Sequence, residues 1–229
     1  MRIPNKRFLL ECHSLSQKHV EGAFQLLQNH FRVDEPLTKA LALTADDTAE
    51  SFYDMCGAAA QSGYSFVAVD VDKDKVVGAR LSTVKTKQQK GSSPLSVQRY
   101  NSPVQQIYDL LNDMEGDIFK ELPLAEKLLK FEIVSVDRDY QRCGIAQALI
   151  DHTLALAIKD RFDFVYTLAT SYRTQNLFAN KLDFDTLKVI EVKNYRLGGK
   201  PVFELVEDLN PYAKLMAKRL ITSRSGSDQ

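Results

Sequence analysis

Apolar positions along the chain alternate between strand and helix period. Strand-like runs are expected over residues 7–15, 64–70, 76–86, 128–136 and 162–170, with the second and third joined across the polar Val71-Asp72-Lys73-Asp74-Lys75 as a hairpin. Val20, Phe24, Leu27 and Phe31 recur at helical spacing after Ser16, a candidate N-cap, which predicts a helix over 17–31. Pro36 interrupts that pattern. It cannot continue a helix and biases Glu35 toward extended backbone, so Asp34 and Glu35 stand at a joint where a second helix begins. Another helix is expected over 44–62, begun by Thr44 or Asp46, with Phe52, Met55, Cys56 and Ala59 on its apolar face. Ser102 and Pro103 read as the cap and first position of a helix that runs to Leu122 and ends at Pro123.

The run from Leu128 has a finer pattern. Alternation places Leu129, Phe131 and Ile133 on one face and Lys130, Glu132, Val134 and Val136 on the other, unless a bulge shifts the register. A polar turn follows, and Gly144-Ile145-Ala146 then opens an apolar-periodic helix that reaches residue 158. Ser171 would cap a helix over 171–182, strands are expected over 185–192 and 201–206, and a short helix over 211–220 closes the pattern. Residues 87–96 read as a charged, solvated connection and 222–229 as a disordered tail, leaving one domain over 1–221.

Composition narrows the partners. The 229 residues carry 30 basic and 30 acidic side chains, so no net field draws the protein to nucleic acid or to an anionic membrane, and small soluble partners are favoured. Cys12, Cys56 and Cys143 form neither a zinc-ligand spacing nor an even disulfide set, which points to a reducing, cytoplasmic compartment and to no metal. No apolar run approaches the length of a membrane span.

The candidate chemistry lies where the 128–136 strand feeds its helix. Such a turn leaves the first backbone N–H groups of the helix unpaired with the positive end of its dipole behind them, a seat for phosphate. Gly144 and Ala146 let a large ligand approach the peptide groups of Arg142, Cys143, Gly144, Ile145 and Ala146, and Arg142 adds a charge.

The spacing Gln141-x-x-Gly144-x-Ala146 resembles the signature with which GNAT acetyltransferases hold the pyrophosphate of coenzyme A, and IVSVDRDYQRCGIA is similar to the corresponding stretch of insect-type arylalkylamine N-acetyltransferases. Asp34-Glu35-Pro36-Leu37 resembles the segment that carries the proposed catalytic base in those enzymes. The resemblance implies an α/β fold of one domain, with a mixed, mostly antiparallel sheet, splayed fourth and fifth strands and helices on both faces. It implies acetyl-CoA as cosubstrate, held by Val134, Ser135 and Val136 along its pantetheine arm and by Gln141 to Ala146 at its pyrophosphate, with Glu35 as base. Glu132, on the strand where many GNAT enzymes place a base, competes with Glu35.

TSYRTQNLFANKLDF resembles the closing segment of the same family and departs from it twice. Phe178 stands where many members have a proton-donating tyrosine, and Asp183 replaces a glycine. Ser171 and Thr174 are the nearest hydroxyls, expected as polar positioners first and acids second. The implied reaction is acetyl transfer to an arylalkylamine such as dopamine or tryptamine. A polyamine, amino-sugar or peptide acceptor is the alternative within enzymes, and a non-catalytic acyl-CoA binder is the alternative outside them.

Overall fold

The computed structural model describes residues 1–88, 100 and 102–220. Most of the loop expected over 87–96 and all of the tail expected over 222–229 lie outside them. The chain begins with β1 (Arg2–Ile3) and β2 (Leu10–Ser14), then α1 (Gln17–Leu26), which passes through a π-helical turn, Leu27–Phe31, into α2 (Arg32–Asp34). The remaining elements are α3 (Pro36–Ala40), α4 (Ala45–Gln61), β3 (Phe66–Asp70), β4 (Lys75–Thr86), α5 (Ser102–Glu115), α6 (Ile118–Glu121), β5 (Lys127–Val136), α7 (Ile145–Lys159), β6 (Phe164–Ala169), α8 (Tyr172–Leu182), β7 (Asp185–Glu191), β8 (Arg196–Leu197), β9 (Lys200–Pro201) and β10 (Tyr212–Arg219).

One eight-stranded sheet runs in the order β1-β2-β3-β4-β5-β6-β10-β7, and its neighbours pair antiparallel except β5 with β6. Because β1 precedes the strands read from sequence, the expected fourth and fifth strands are β5 and β6. Helices cover both faces. On one, α1, the π turn after it and α4 bury Val20, Leu27, Phe52 and Cys56 against Ala79, Leu81 and Ile133. On the other, α7 buries Ile145 and Leu149 against Phe66 and Val77, and α8 buries Phe178 against Phe131 and Val165.

Three features of β5 and its neighbours position the site. The β4–β5 register shifts between Leu81↔Ile133 and Ser82↔Phe131, so Glu132 is an extra residue in β5. That bulge reverses the facing of Ile133, which packs with α1 and α4, while Leu129 and Phe131 pack with α7 and α8. Parallel pairing with β6 stops at Phe131↔Thr167, so among the described residues no strand lies beside the outer edge of β5 beyond that point. Finally, Gly78 of β4 lets the first turn of α7 sit against the sheet: a Cβ there would lie 2.6 Å from Ile145 Cγ2.

Several expected elements differ. The helix expected over 17–31 gives way to a π turn at Leu27, and the one expected to reach Leu122 breaks at Gly116, whose φ is +52°. The strand expected over 201–206 is only the two-residue β9, paired with β8. The terminal segment expected as a helix over 211–220 is β10, inserted between β6 and β7. Its Ala213, Leu215, Met216 and Ala217 are all buried, so both strand faces are covered and a period of two is not visible in the sequence.

Candidate active site

Glu35 is held at the joint its sequence context predicts. Pro36 leaves it extended, at φ −75° and ψ 126°, as N-cap of α3. Its Oε2 accepts the Thr38 backbone N–H at 2.7 Å and its Oε1 accepts the Thr170 hydroxyl at 2.7 Å. The Thr38 hydroxyl closes the same joint by donating to the carbonyls of Arg32 and Glu35. The carboxylate is buried, 8% exposed, and desolvation raises its pKa, an effect that the bonds from Thr38 and Thr170 oppose.

Two cavities meet at this side chain. The first is lined mainly by apolar and aromatic groups, among them Phe31, Phe52, Met55, Ile107, Tyr108 and Leu111. The second is a slot in the splay of β5 from β6, lined by Ile133 to Val136 on one side and by Thr167, Ser171, Thr174 and Phe178 on the other. Their common wall includes Glu35, Thr170, Phe131 and Glu132.

The edge of β5 faces the slot for a geometric reason. The Asp137 N–H bonds to the Val77 carbonyl, which makes Gly78↔Val136 a pair without direct mutual hydrogen bonds. By alternation Arg80↔Val134 is another, so the N–H and C=O of Val134 and Val136 point away from β4 and toward β6. Ser135 points its own peptide groups back to β4.

Beyond β5, Asp137 is buried and organises the turn. It accepts the Asp139 N–H at 3.0 Å and the Lys75 ammonium at 2.8 Å, and His30 Nε2 lies 3.4 Å away. Arg138 Nη2 donates to Asp34 Oδ1 at 2.5 Å, which ties the turn to the Glu35 joint across more than a hundred residues. The turn then runs through Gln141 and Arg142, both exposed, the half-buried Cys143, and exposed Gly144. Arg142 has φ +61° and Gly144 φ +76°, so left-handed backbone bends the peptide chain into the start of α7. A Cβ on Gly144 would meet nothing within 4 Å among the described residues: the turn is open there, and the N–H groups of Ile145 and Ala146 lie at the mouth of a fifteen-residue helix.

The remaining sequence candidates take structural positions beside the slot. Ser171 caps α8, accepting the Thr174 N–H at 3.2 Å, and the two hydroxyls bond at 2.8 Å. Phe178 is buried against Phe184 and Phe131, with ring centroids 4.8 and 6.1 Å away. Asp183 adopts φ +53°, the backbone angle for which glycine is usual. Glu132 lies between two partners: Oε1 accepts the Thr83 hydroxyl at 2.7 Å, and Oε2 is 3.3 Å from Lys130 Nζ. Lys130 also pairs with Glu115 at 2.7 Å. Burial works against ionisation of Glu115, but Lys130 and Lys85 together hold its pKa at about 2.

Two site residues had no sequence signal. Thr170 bonds Glu35 across a separation of 135 residues. Arg80, 1% exposed, lies under the slot with its guanidinium carbon 3.5 Å from the Phe131 ring centroid, and its Nη1 donates to the Leu81 and Ile133 carbonyls, each at 2.7 Å. Burial pushes its pKa down and Glu132 opposes that.

No family model matches the chain. Solved structures with the same fold do. Arylalkylamine N-acetyltransferase 2 from Aedes aegypti matches 93% of this chain and 99% of its own at 21% identity, with a TM-score of 0.81. The C-terminal condensation domain of Ebony, solved with beta-alanyl-dopamine, matches 93% and 99% at 20% identity and a TM-score of 0.76. A polyamine N-acetyltransferase from Drosophila melanogaster, described as forming N-acetylagmatine, matches 92% and 100% at 13% identity and a TM-score of 0.73. The fold is therefore the GNAT fold that the sequence resemblance implied, with the mixed sheet and two-sided helices expected of it.

Proposed function

We propose that the protein transfers an acetyl group from acetyl-CoA to the primary amine of an arylalkylamine. The observation that carries this reading is the position of Glu35, a buried carboxylate on the wall between an apolar pocket and the slot beside β5. The residues present fit coenzyme A. The outward peptide groups of Val134 and Val136 offer strand-like bonds to a pantetheine amide, and the open turn from Gln141 to Ala146 offers N–H groups and Arg142 to a pyrophosphate.

An arylalkylamine arrives as an ammonium, with a pKa near ~10 like that of lysine. Glu35, whose pKa burial raises, accepts its proton, and Thr170 and Thr38 keep the carboxylate oriented. The freed lone pair attacks the thioester carbon, the carbonyl electrons move to oxygen, and the Val134 N–H is positioned to receive that charge. Collapse breaks the C–S bond and releases a thiolate, while the nitrogen, made cationic by the new C–N bond, gives up its second proton to solvent. Phe178 has no proton to give it, so the paired hydroxyls of Ser171 and Thr174 serve as polar contacts, with solvent-derived protons completing the step.

The lining of the first pocket favours an aromatic acceptor. A polyamine brings a second cation, and among the described residues the carboxylates lining the pocket are Glu35 and Glu132, the latter already beside Lys130. The same pairing argues for Glu35 over Glu132 as base. An acetyl-transfer assay over tryptamine, dopamine, agmatine, spermidine and lysine peptides tests the reading. Turnover of the aromatic amines that falls at least ~100-fold in Glu35→Gln, with coenzyme A affinity retained, is the expected result. Preference for agmatine, or equal loss in Glu132→Gln alone, would redirect it, and binding without turnover of any amine would favour a non-catalytic acyl-CoA binder.

A further inference from the structure

Arg80 buries a guanidinium that forms no salt bridge among the described residues, with the Glu132 charge acting on it. It lies on β4, buried beneath the slot, and among the described residues its Nε and Nη2 find no acceptor. Only Nη1 is bonded, to the carbonyls of Leu81 and Ile133, while the guanidinium plane rests on the Phe131 ring. Burying an arginine costs free energy that an apolar residue of similar size would not.

The peptide group it touches gives it a role. The Ile133 carbonyl and the Val134 N–H belong to one peptide unit, and in a trans peptide they point in opposite directions. The carbonyl points toward β4 and accepts from Arg80, whereas the N–H points outward into the slot. A cation bonded to the oxygen of an amide draws electron density from its nitrogen and strengthens the N–H as a donor, and hydrogen bonds in series reinforce each other in this way.

We propose that Arg80 is a positioning residue that polarises the Ile133–Val134 peptide, so that its N–H better stabilises negative charge on the acyl oxygen of a thioester in the slot. This rests on the acetyl-transfer reading above. The charge it answers develops only as the amine nitrogen adds to the carbonyl carbon and the π electrons pass to oxygen; no proton or electron moves to or from Arg80. The interaction is therefore stronger in the transition state than in the bound thioester, and its loss appears in kcat rather than in the KM for acetyl-CoA.

The test uses the whole protein and a carbon-13-labelled ketone analogue of acetyl-CoA in which a methylene replaces the sulfur. Infrared difference spectra read the carbonyl stretch of the bound analogue. In the wild type the band is expected below its position in solution; in Arg80→Met it returns toward the solution value, kcat falls roughly tenfold, and the KM for acetyl-CoA changes less than about threefold. Arg80→Lys, which keeps a cation but cannot span two carbonyls, is expected in between and serves if the methionine variant does not fold. An unchanged band in folded variants, or a loss confined to KM, overturns the role of Arg80 while leaving acetyl transfer standing. Failure of the wild type to bind the analogue overturns acetyl transfer itself, and this inference with it.

Discussion

Replacing Thr170 with valine removes one hydroxyl and little volume, and it isolates the hydrogen bond to Glu35 from the rest of the site. The Thr170 hydroxyl donates to Glu35 Oε1 at 2.7 Å in a partly buried setting, whereas Oε2 keeps its bond from the Thr38 N–H. A hydrogen bond to an ionised group contributes about 1.5–3 kcal/mol, and 1.36 kcal/mol corresponds to one pH unit in a titration. The bond favours the charged form, so its loss makes the carboxylate harder to ionise and moves the acid limb of the kcat–pH profile upward by at least about one unit. At a pH below the limb, turnover at saturating amine should fall about tenfold. On the plateau above it, where Glu35 is ionised in both proteins, the two rates should converge. Thr170→Ser keeps the donor and should leave the limb in place. The matched variant Thr83→Val removes the equivalent bond to Glu132 Oε1, also 2.7 Å, and should leave the limb where it is. A limb that follows Thr83→Val and ignores Thr170→Val would make Glu132 the base and refute the assignment of Glu35.

Three further outcomes are expected. Glu35 has a raised pKa, so its folded state holds the proton more tightly than the unfolded chain and stability falls as pH rises from the ordinary carboxylate range through the raised value; Glu35→Gln should therefore melt at a higher temperature than wild type at pH 7 while losing turnover, measured by differential scanning fluorimetry. Glu115 shows the opposite sign: its pKa of about 2, against an ordinary 4.5, contributes roughly 3 kcal/mol that is complete above the ordinary value and lost as pH falls toward 2. Glu115→Gln should lower stability at pH 7 by a comparable free energy, read by chemical denaturation, because Lys85 and Lys130 both lose a charged partner and Lys130 is left with Glu132 at 3.3 Å; at pH 2 stability should be little changed, since there the native Glu115 contribution is itself largely lost. Gly78→Val should drive its side chain against Ile145 Cγ2, cost about 1–3 kcal/mol, and displace the start of α7, raising the KM for acetyl-CoA more than that for the amine; equal changes in both would detach this contact from cofactor binding.

The order of the main strands and helices from β2 to α8, the extended Glu35 before Pro36, and the open turn at Gly144 were legible in the sequence because each is decided within a few residues. A proline restricts its predecessor, a glycine admits a left-handed angle, and a strand feeding a helix exposes its first N–H groups whatever surrounds them. The terminal strand was not legible. Tyr212-Ala-Lys-Leu-Met-Ala-Lys-Arg219 is rich in good helix formers, and only its place between β6 and β7, covered on both faces, overrides that preference. The bulge at Glu132 is set by pairing with β4, so the facing of Ile133, and with it the shape of the pocket wall, belonged to the tertiary structure. The same holds for Thr170 over Glu35 and Arg80 beneath Ile133. Side chains that meet through the sheet leave no periodicity in the chain, because their encounter is determined by how the strands align and not by their own neighbours.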